Sequence, residues 1–213
     1  MCFSKELSKR ALGIGLLSSL LLITLGNENL SGFNKTIGIT FIAVALVQLA
    51  DYFIWSDVNC QTGYNELGGQ LGPLFINLQP VIIFALILLF MKDSNIDKYD
   101  AIPIILNVVY LIYFIYQYKN YIANGDFCSK VKDGHLAWVW GDHFNYFFYT
   151  TLLFINLIWY AETTIHYLTV IIIFAIAVLS NFAYKDYPGQ TWCYFSNSIP
   201  LIVLLLQKFT NIS

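Results

Sequence analysis

The chain has 213 residues, of which 58% are hydrophobic and 11% charged, with a formal net charge of −2. Soluble domains carry about 25% charged residues, so this composition excludes an ordinary water-exposed globule, and the absence of a basic stripe excludes a nucleic-acid partner. A mean hydropathy of +0.63 with 17% aromatic residues fits a chain solvated by lipid, with Tyr and Trp at headgroup level.

The opening Met1-Cys2-Phe3-Ser4-Lys5 is basic, but no small-x-small cleavage site follows the first apolar run. That run, Ala11 to Leu25, is expected both to target and to anchor the chain. Further apolar runs follow at Ile37 to Trp55, Leu67 to Met91 and Ala101 to Gln117. A fifth ends at Ala161 and starts between Gly134 and His143, reaching back to His135 in its longest form; the last two are Thr164 to Tyr184 and Gln190 to Gln207. At ~20 residues per crossing, the prediction is an all-α, single-domain bundle of seven transmembrane helices. The connections are short and polar; only Lys119 to Gly134 is long enough to fold over a face. No internal repeat of the inverted-transporter kind is visible.

Seven crossings put the two chain ends on opposite sides. Side A holds the N-terminus and the second, fourth and sixth connections, with Lys5, Lys9, Arg10, Lys119, Lys130, Lys132 and Lys185. Side B holds Lys35, Lys92, Lys98 and Lys208. The excess places side A in the cytoplasm and turns the sequons at Asn29 and Asn34 outward. The cysteines argue the opposite. Cys2, Cys60, Cys128 and Cys193 all fall on side A, and in an oxidising compartment they read as two disulfides with three possible pairings; in the cytoplasm they are free thiols.

Polar residues recur at helical spacing on single faces. They are Gln48, Asp51 and Trp55 in the second span; Gln70, Pro73, Asn77 and Pro80 in the third; and Gln190, Cys193, Asn197 and Pro200 in the seventh, where Trp192 adds a wall. An early start gives the fifth span His135, Trp138, Asp142 and Asn145, with His143 beside them, and the sixth adds Ser180 and Asn181. Such stripes turn away from lipid. Asp51 lies ~6 Å from side A at 1.5 Å per residue, level with Gln70, Asn145, Asn181 and Gln190, while Asn197 and Asn77 lie ~10 and ~15 Å deep. The expected shape is a polar funnel open to side A above an aliphatic floor. No Lys or Arg lies inside a span to pair with Asp51. Its carboxyl is therefore either protonated and held by Gln48, or ionised opposite a cation, a protonated ligand, His135 or His143. Pro73, Pro80 and Pro200 are expected to kink their helices and free carbonyls.

Three histidines, with no His-Glu-x-x-His, Gly-x-Ser-x-Gly or Cys-x-x-Cys, give little support to a metal hydrolase, a serine hydrolase or a thiol redox enzyme. Lys208 at the very end of the last span argues against retinal, and no other cofactor is indicated. A nucleophilic Cys2 exposed by loss of Met1 is less expected than a structural one.

Several of these residues carry a resemblance. Met1-Cys2-Phe3-Ser4, then Gln48, Asp51, Ile54 and Trp55, then Gly72-Pro73, Gly134-His135 and Trp192-Cys193-Tyr194 occur in an order that resembles a family of mostly bacterial multi-pass membrane proteins beginning Met-Cys-Phe-Ser. The family has no assigned activity, so the resemblance implies a fold and a set of marked residues. It also implies side A outside, because its members are more basic on side B. This chain departs from them in its shorter loops and its richness in Asn, Lys, Ile and Tyr.

Three readings follow. The first is a transporter, channel or receptor-like binder holding a small polar or cationic solute, or protons, in the funnel. The second is a membrane-embedded enzyme acting on a lipid or headgroup through Asp51, His135, Asp142 and His143. The third is a structural protein whose amides only join helices.

Overall fold

The structure, a computed structural model, describes residues 4–91, 100–132, 134–183 and 188–209, with backbone alone at 183 and 188–190. It is almost entirely helical: α1 Lys5–Leu25, α2 Ser31–Ser56, α3 Tyr64–Asn77, α4 Gln79–Phe90, α5 Ala101–Asn124, α6 Tyr146–Trp159, α7 Thr164–Ala183, α8 Pro188–Ser196 and α9 Ile199–Phe209. A 3-10 turn, Glu28–Leu30, leads into α2, and a short antiparallel hairpin, β1 Lys130–Lys132 with β2 His135–Ala137, follows α5.

Among the described residues four helices are long and apolar enough to cross a membrane: Lys5–Leu25, Glu28–Ser56, Ala101–Asn124 and Thr164–Phe182. The pair α3 and α4 makes a fifth if its 45° bend is counted as one broken span. Their outward faces carry Leu17, Ile105, Ile112, Phe174 and Leu179, all more than half exposed. A continuous apolar belt of this kind is stable against lipid and not against water.

α2 is the central element. Of its most apolar stretch 61% is buried, against 22–33% in the other three long helices. It packs on α1, α3, α4, α8 and α9. The α1 contact is close because the buried face of α1 is small, with Ser8, Ala11, Gly15, Ser18 and Ser19. A Cβ on Gly15 would run into Asn197 and Ala45, and one on Gly38 into Ile23. Small residues let helices approach in lipid, where dispersion and hydrogen bonds replace the hydrophobic drive.

Helix ends fall into two sets. In one, Lys5 lies over the Tyr52 ring, 4.9 Å from its centre, beside the end of α2, and Cys60, just beyond α2, is bonded to Cys128, just beyond α5. In the other, Asn27 donates to Gln207, Lys35 approaches the Phe90 ring, Tyr160 donates to Asp100, and His166 stacks on Phe33 at 4.4 Å. The labels side A and side B are kept below for the first and second set of ends.

Several expectations change. The third span is two helices that meet at Leu78, directly before Gln79-Pro80. The seventh divides between Ser196 and Ile199, directly before Pro200. A proline has no N–H to give and clashes with the preceding turn. Pro73 stays inside α3, and the carbonyl it orphans four residues back, that of Gly69, takes the Tyr121 hydroxyl at 2.9 Å. The second span begins earlier than expected, at Ser31. The fifth does not begin early. Lys130–Lys132 and His135–Ala137 pair as the hairpin, with Gly134 in the left-handed region at φ 77°, and α6 starts only at Tyr146.

Candidate functional site

The described residues between α5 and α6, 125–132 and 134–145, fold back over the side A ends of the helices and are tied down twice. Cys60 and Cys128 form a disulfide. Beside it Asn65 reads the backbone of Ser129 in both directions: its amide donates to the Ser129 carbonyl at 2.9 Å and its oxygen accepts the Ser129 N–H at 2.8 Å. The Ser129 hydroxyl accepts the Val139 N–H, which fixes the far arm of the hairpin. Asp57 organises the receiving loop. Its carboxylate accepts the N–H groups of Gln61 and Thr62 at 2.8 and 2.9 Å. Burial works to raise the Asp57 carboxyl, and the amides of Gln61, Thr62 and Asn65 outweigh it, holding it below the usual 3.8.

The clamped segment delivers two tryptophans into the bundle. Trp140 is fully buried against α3 at Gly72, where any Cβ would collide with its ring. Trp138 stacks on Trp140, ring centres 5.0 Å apart, and its indole N–H donates to the Asp51 carboxylate at 2.7 Å. Asp51 is itself fully buried, as is Gln48 one turn below it. The Cys193 thiol of α8 is within electrostatic reach of Asp51, Tyr146 and Tyr149. Tyr149 donates to Gln79 at 2.6 Å, and deeper still Tyr110 donates to Asn77 at 3.3 Å. The mouth of the expected funnel is thus roofed by the hairpin segment and does not stand open.

Around Asp51, among the described residues, several buried polar atoms have no hydrogen-bond partner. Both amide atoms of Gln48 and of Asn197 are in this state, as is the Gln79 amide nitrogen. The indole N–H of Trp140 faces Tyr146 and that of Trp192 faces Tyr149, yet neither pair closes to hydrogen-bond geometry. Buried polar groups are almost always paired with protein or water, so the concentration of unpaired ones around Asp51 sets this part of the bundle apart.

The residues singled out from sequence separate into three groups. Asp51, Gln48, Asn77 and Asn197 are buried in the interior of the bundle, with Trp192 half-buried on α8 and Trp55 half-buried at the side A end of α2. Gln70 is half-buried, and only its backbone carbonyl is used, accepting from Tyr118. The rest lie elsewhere. Asp142, His143 and Asn145 are exposed; Asn145 caps α6 by accepting the Phe148 N–H, and His143 packs on the Tyr121 ring. Asn181 is exposed and donates to the Ala177 carbonyl of its own helix. His135 is a strand residue paired with Lys132. The His135, Trp138, Asp142 and Asn145 stripe therefore does not exist, because it assumed a helix where there is a hairpin. The side chain of Gln190 and all of Cys2 lie outside the described residues. The cysteines form one disulfide among the described residues, and Cys193 is a buried free thiol. The sequon at Asn34 is buried and hydrogen-bonded. No three His, Cys, Asp or Glu side chains among the described residues sit close enough together to hold a metal ion.

Sequence reasoning missed Trp140, Tyr146, Tyr149 and Gln79, which reach the surroundings of Asp51 from the hairpin segment, α6 and the helix break. The small-residue spacing Gly68-x-x-x-Gly72 was the available clue to the first, since it marks a face that admits close packing. No family model, curated protein or solved structure matches the chain, and nothing in these comparisons bears on the resemblance drawn from the motif residues.

Proposed function

We propose that the protein is a seven-pass membrane protein that binds, and moves or senses, a small polar or cationic solute, protons included, beside Asp51. The observation that carries this reading is the unpaired Gln48 amide, fully buried one turn from a buried carboxylate. Burying that amide unbonded costs about 1–3 kcal/mol, and a small polar or cationic solute held between it and the Asp51 carboxylate, to which Trp138 already donates, supplies the missing bonds.

The sorting of helix ends into two sets supports seven passes, with α3–α4 and α8–α9 each counted as one broken crossing. The 14-residue α6 rises only ~21 Å, short of the ~30 Å hydrocarbon core. The turns above it, sheltered against protein through Trp140 and Phe144, complete that crossing. The disulfide supports side A facing an oxidising compartment, against the lysine count and in line with the family resemblance.

The test is a thermal-shift series in nanodiscs with alkali, ammonium and small alkylammonium cations, at several pH values. The expected result is stabilisation by at least one of these or by protonation, lost in Asp51→Asn. Equal responses of the wild type and Asp51→Asn remove Asp51 from the site. A purely structural role is favoured only on the opposite flank, where Asn107 and Asn156 satisfy each other across α5 and α6.

A further inference from the structure

A small pocket lies at the side B end of the bundle, where α2, α4, α6 and α7 converge. The residues that line it fall within two turns of the side B ends of their helices. Its walls are mostly apolar, with Ile37, Ile87, Leu157 and Val170 among them. The polar side chains in the lining are Thr36 of α2, Tyr160 at the end of α6, and His166 and Thr169 of α7. The Tyr160 hydroxyl is already engaged, donating to Asp100 at 3.0 Å. A water-sized sphere has about 10 Å³ in which to move, close to the least volume that holds one water. The pocket is neither sealed nor flat.

His166 is the unusual member of this lining. It is 7% exposed, and its ring stacks on Phe33. The Glu162 N–H donates to its Nδ1 at 3.1 Å. A ring nitrogen that accepts a hydrogen bond carries no proton, so the imidazole is neutral and its proton sits on Nε2. That Nε2–H is buried and has no hydrogen-bond partner among the described residues. The two threonines offer the complement. Thr169 gives its hydroxyl proton to the Ile165 carbonyl at 2.8 Å, and Thr36 gives its own to the Gly32 carbonyl at 2.9 Å. Each threonine oxygen keeps lone pairs with which to accept. One pocket thus holds an unpaired donor from α7 and two acceptors, one from α7 and one from α2.

We infer that this pocket binds a single hydroxyl group, which accepts the His166 Nε2–H and donates its own proton to Thr36 or Thr169, tying the start of α7 to α2. A donor left unpaired in an apolar wall is costly, and a hydroxyl is the smallest group that accepts from it and still donates to a threonine. A carboxylate or phosphate does not suit the site. The imidazole is neutral, and no Lys or Arg lines the pocket among the described residues. Two sources supply a hydroxyl at this depth. An internal water matches the volume and finds up to three partners, the usual number for a buried water. A membrane amphiphile reaches the same donor with its hydroxyl alone, its apolar body lying in the open side of the pocket. The site is on side B, away from Asp51, and does not rest on the function proposed there.

Nitrogen-15 NMR of the histidine side chains, in nanodiscs, tests it. His135→Gln with His143→Gln leaves His166 the one histidine in the chain and assigns its signals. The expected spectrum is that of a neutral ring protonated on Nε2, whose proton exchanges magnetisation with a hydroxyl. Transfer at the water frequency identifies an internal water. Transfer to lipid protons that vanishes in perdeuterated lipid identifies an amphiphile. Either supports the site and names its source. An Nε2–H that shows neither transfer, or a ring protonated on Nδ1, overturns the inference. Thr36→Val with Thr169→Val keeps the shape of the walls and removes both acceptors. The transfer should then fall several-fold while the Nε2–H tautomer persists, because the Glu162 bond is untouched. Transfer of unchanged strength in that variant shows a hydroxyl that is not held between α7 and α2, and overturns the inference as well.

Discussion

The two sides of α2 use the same residue types to opposite ends. Toward α4, α5 and α6, the asparagine amides are bonded, and only the Gln79 amide nitrogen among the described residues is not. Asn107 and Asn156 exchange bonds at 2.9 and 3.2 Å, Asn156 also donates to the Pro80 carbonyl, Asn107 to that of Pro103, and Asn77 to that of Pro73. Toward α1 and α8–α9, Gln48 and Asn197 are equally buried and bonded to nothing. An intramembrane amide is therefore not informative by type. The acceptor beside it decides whether it joins helices or waits for a solute. The three carbonyls these amides bond belong to prolines, Pro73 and Pro103 one turn before the amide and Pro80 across from Asn156 on a neighbouring helix, while Gly15, Ala45 and Ser18 on the other side bring backbones together and offer little to bond.

The largest test of this contrast is Trp140→Ala. Trp140 holds the roof in the groove at Gly72, and truncating a buried aromatic costs about 3–5 kcal/mol. The melting temperature should fall sharply, and cation or proton response should fall with it; the Asn107–Asn156 pairing, remote from the roof, should be untouched in a double-mutant cycle. Opening the Cys60–Cys128 bond, by mild reduction or Cys60→Ser with Cys128→Ser, should cost about 2–4 kcal/mol and speed proteolysis of residues 125–145 selectively. Uniform loss of protection across the bundle would show that the bond stabilises the whole and not the roof. Trp138→Phe keeps the packing and removes one donor to a carboxylate, worth about 1.5–3 kcal/mol; it should alter the pH dependence of cation response where Trp138→Tyr alters it less.

Smaller effects are expected on the saturated side. Asn107→Leu and Asn156→Leu should be coupled by about 0.6–1.7 kcal/mol in a double-mutant cycle, with no change in cation response. Smallest is the acid response of the clamp. The Asp57 carboxyl lies below its ordinary 3.8 in the folded protein, so its contribution is fully present above that value and is lost as pH falls through the lowered one. Amide exchange at Gln61 and Thr62 should therefore rise as pH drops below 3.8, beyond its intrinsic pH dependence, and Asp57→Asn should abolish that extra response.

Composition and hydropathy made the helical, lipid-facing character legible, along with the central stripe of Gln48, Asp51 and Asn197. Periodicity could not show the rest. A hairpin with as many Trp, His and Phe residues as Lys130–Asn145 contains reads as an early helix, because apolar and polar positions in so short a run fit either period. The helix breaks fall at Asn77-Leu78-Gln79-Pro80 and Ser196-Asn197-Ser198-Ile199-Pro200, short polar interruptions within longer hydrophobic stretches, and Pro80 and Pro200 foretold a kink without foretelling two helices. The Asn107–Asn156 pair escaped notice because each is a lone amide on its own helix, visible only once α5 and α6 are set side by side. Two disulfides with three possible pairings were open to the sequence; the structure joins Cys60 and Cys128 by bringing together the loops after α2 and α5, and among the described residues it leaves Cys193 free.

The most direct measurement is an experimental density map of the protein in lipid at a resolution that shows bound water. The account predicts ordered density for water, a cation or a small solute within hydrogen-bond distance of the Gln48 amide, beside Asp51 and beneath Trp138. A side chain packed against that amide and bonded to it, with no space left between α2 and α8, would contradict it.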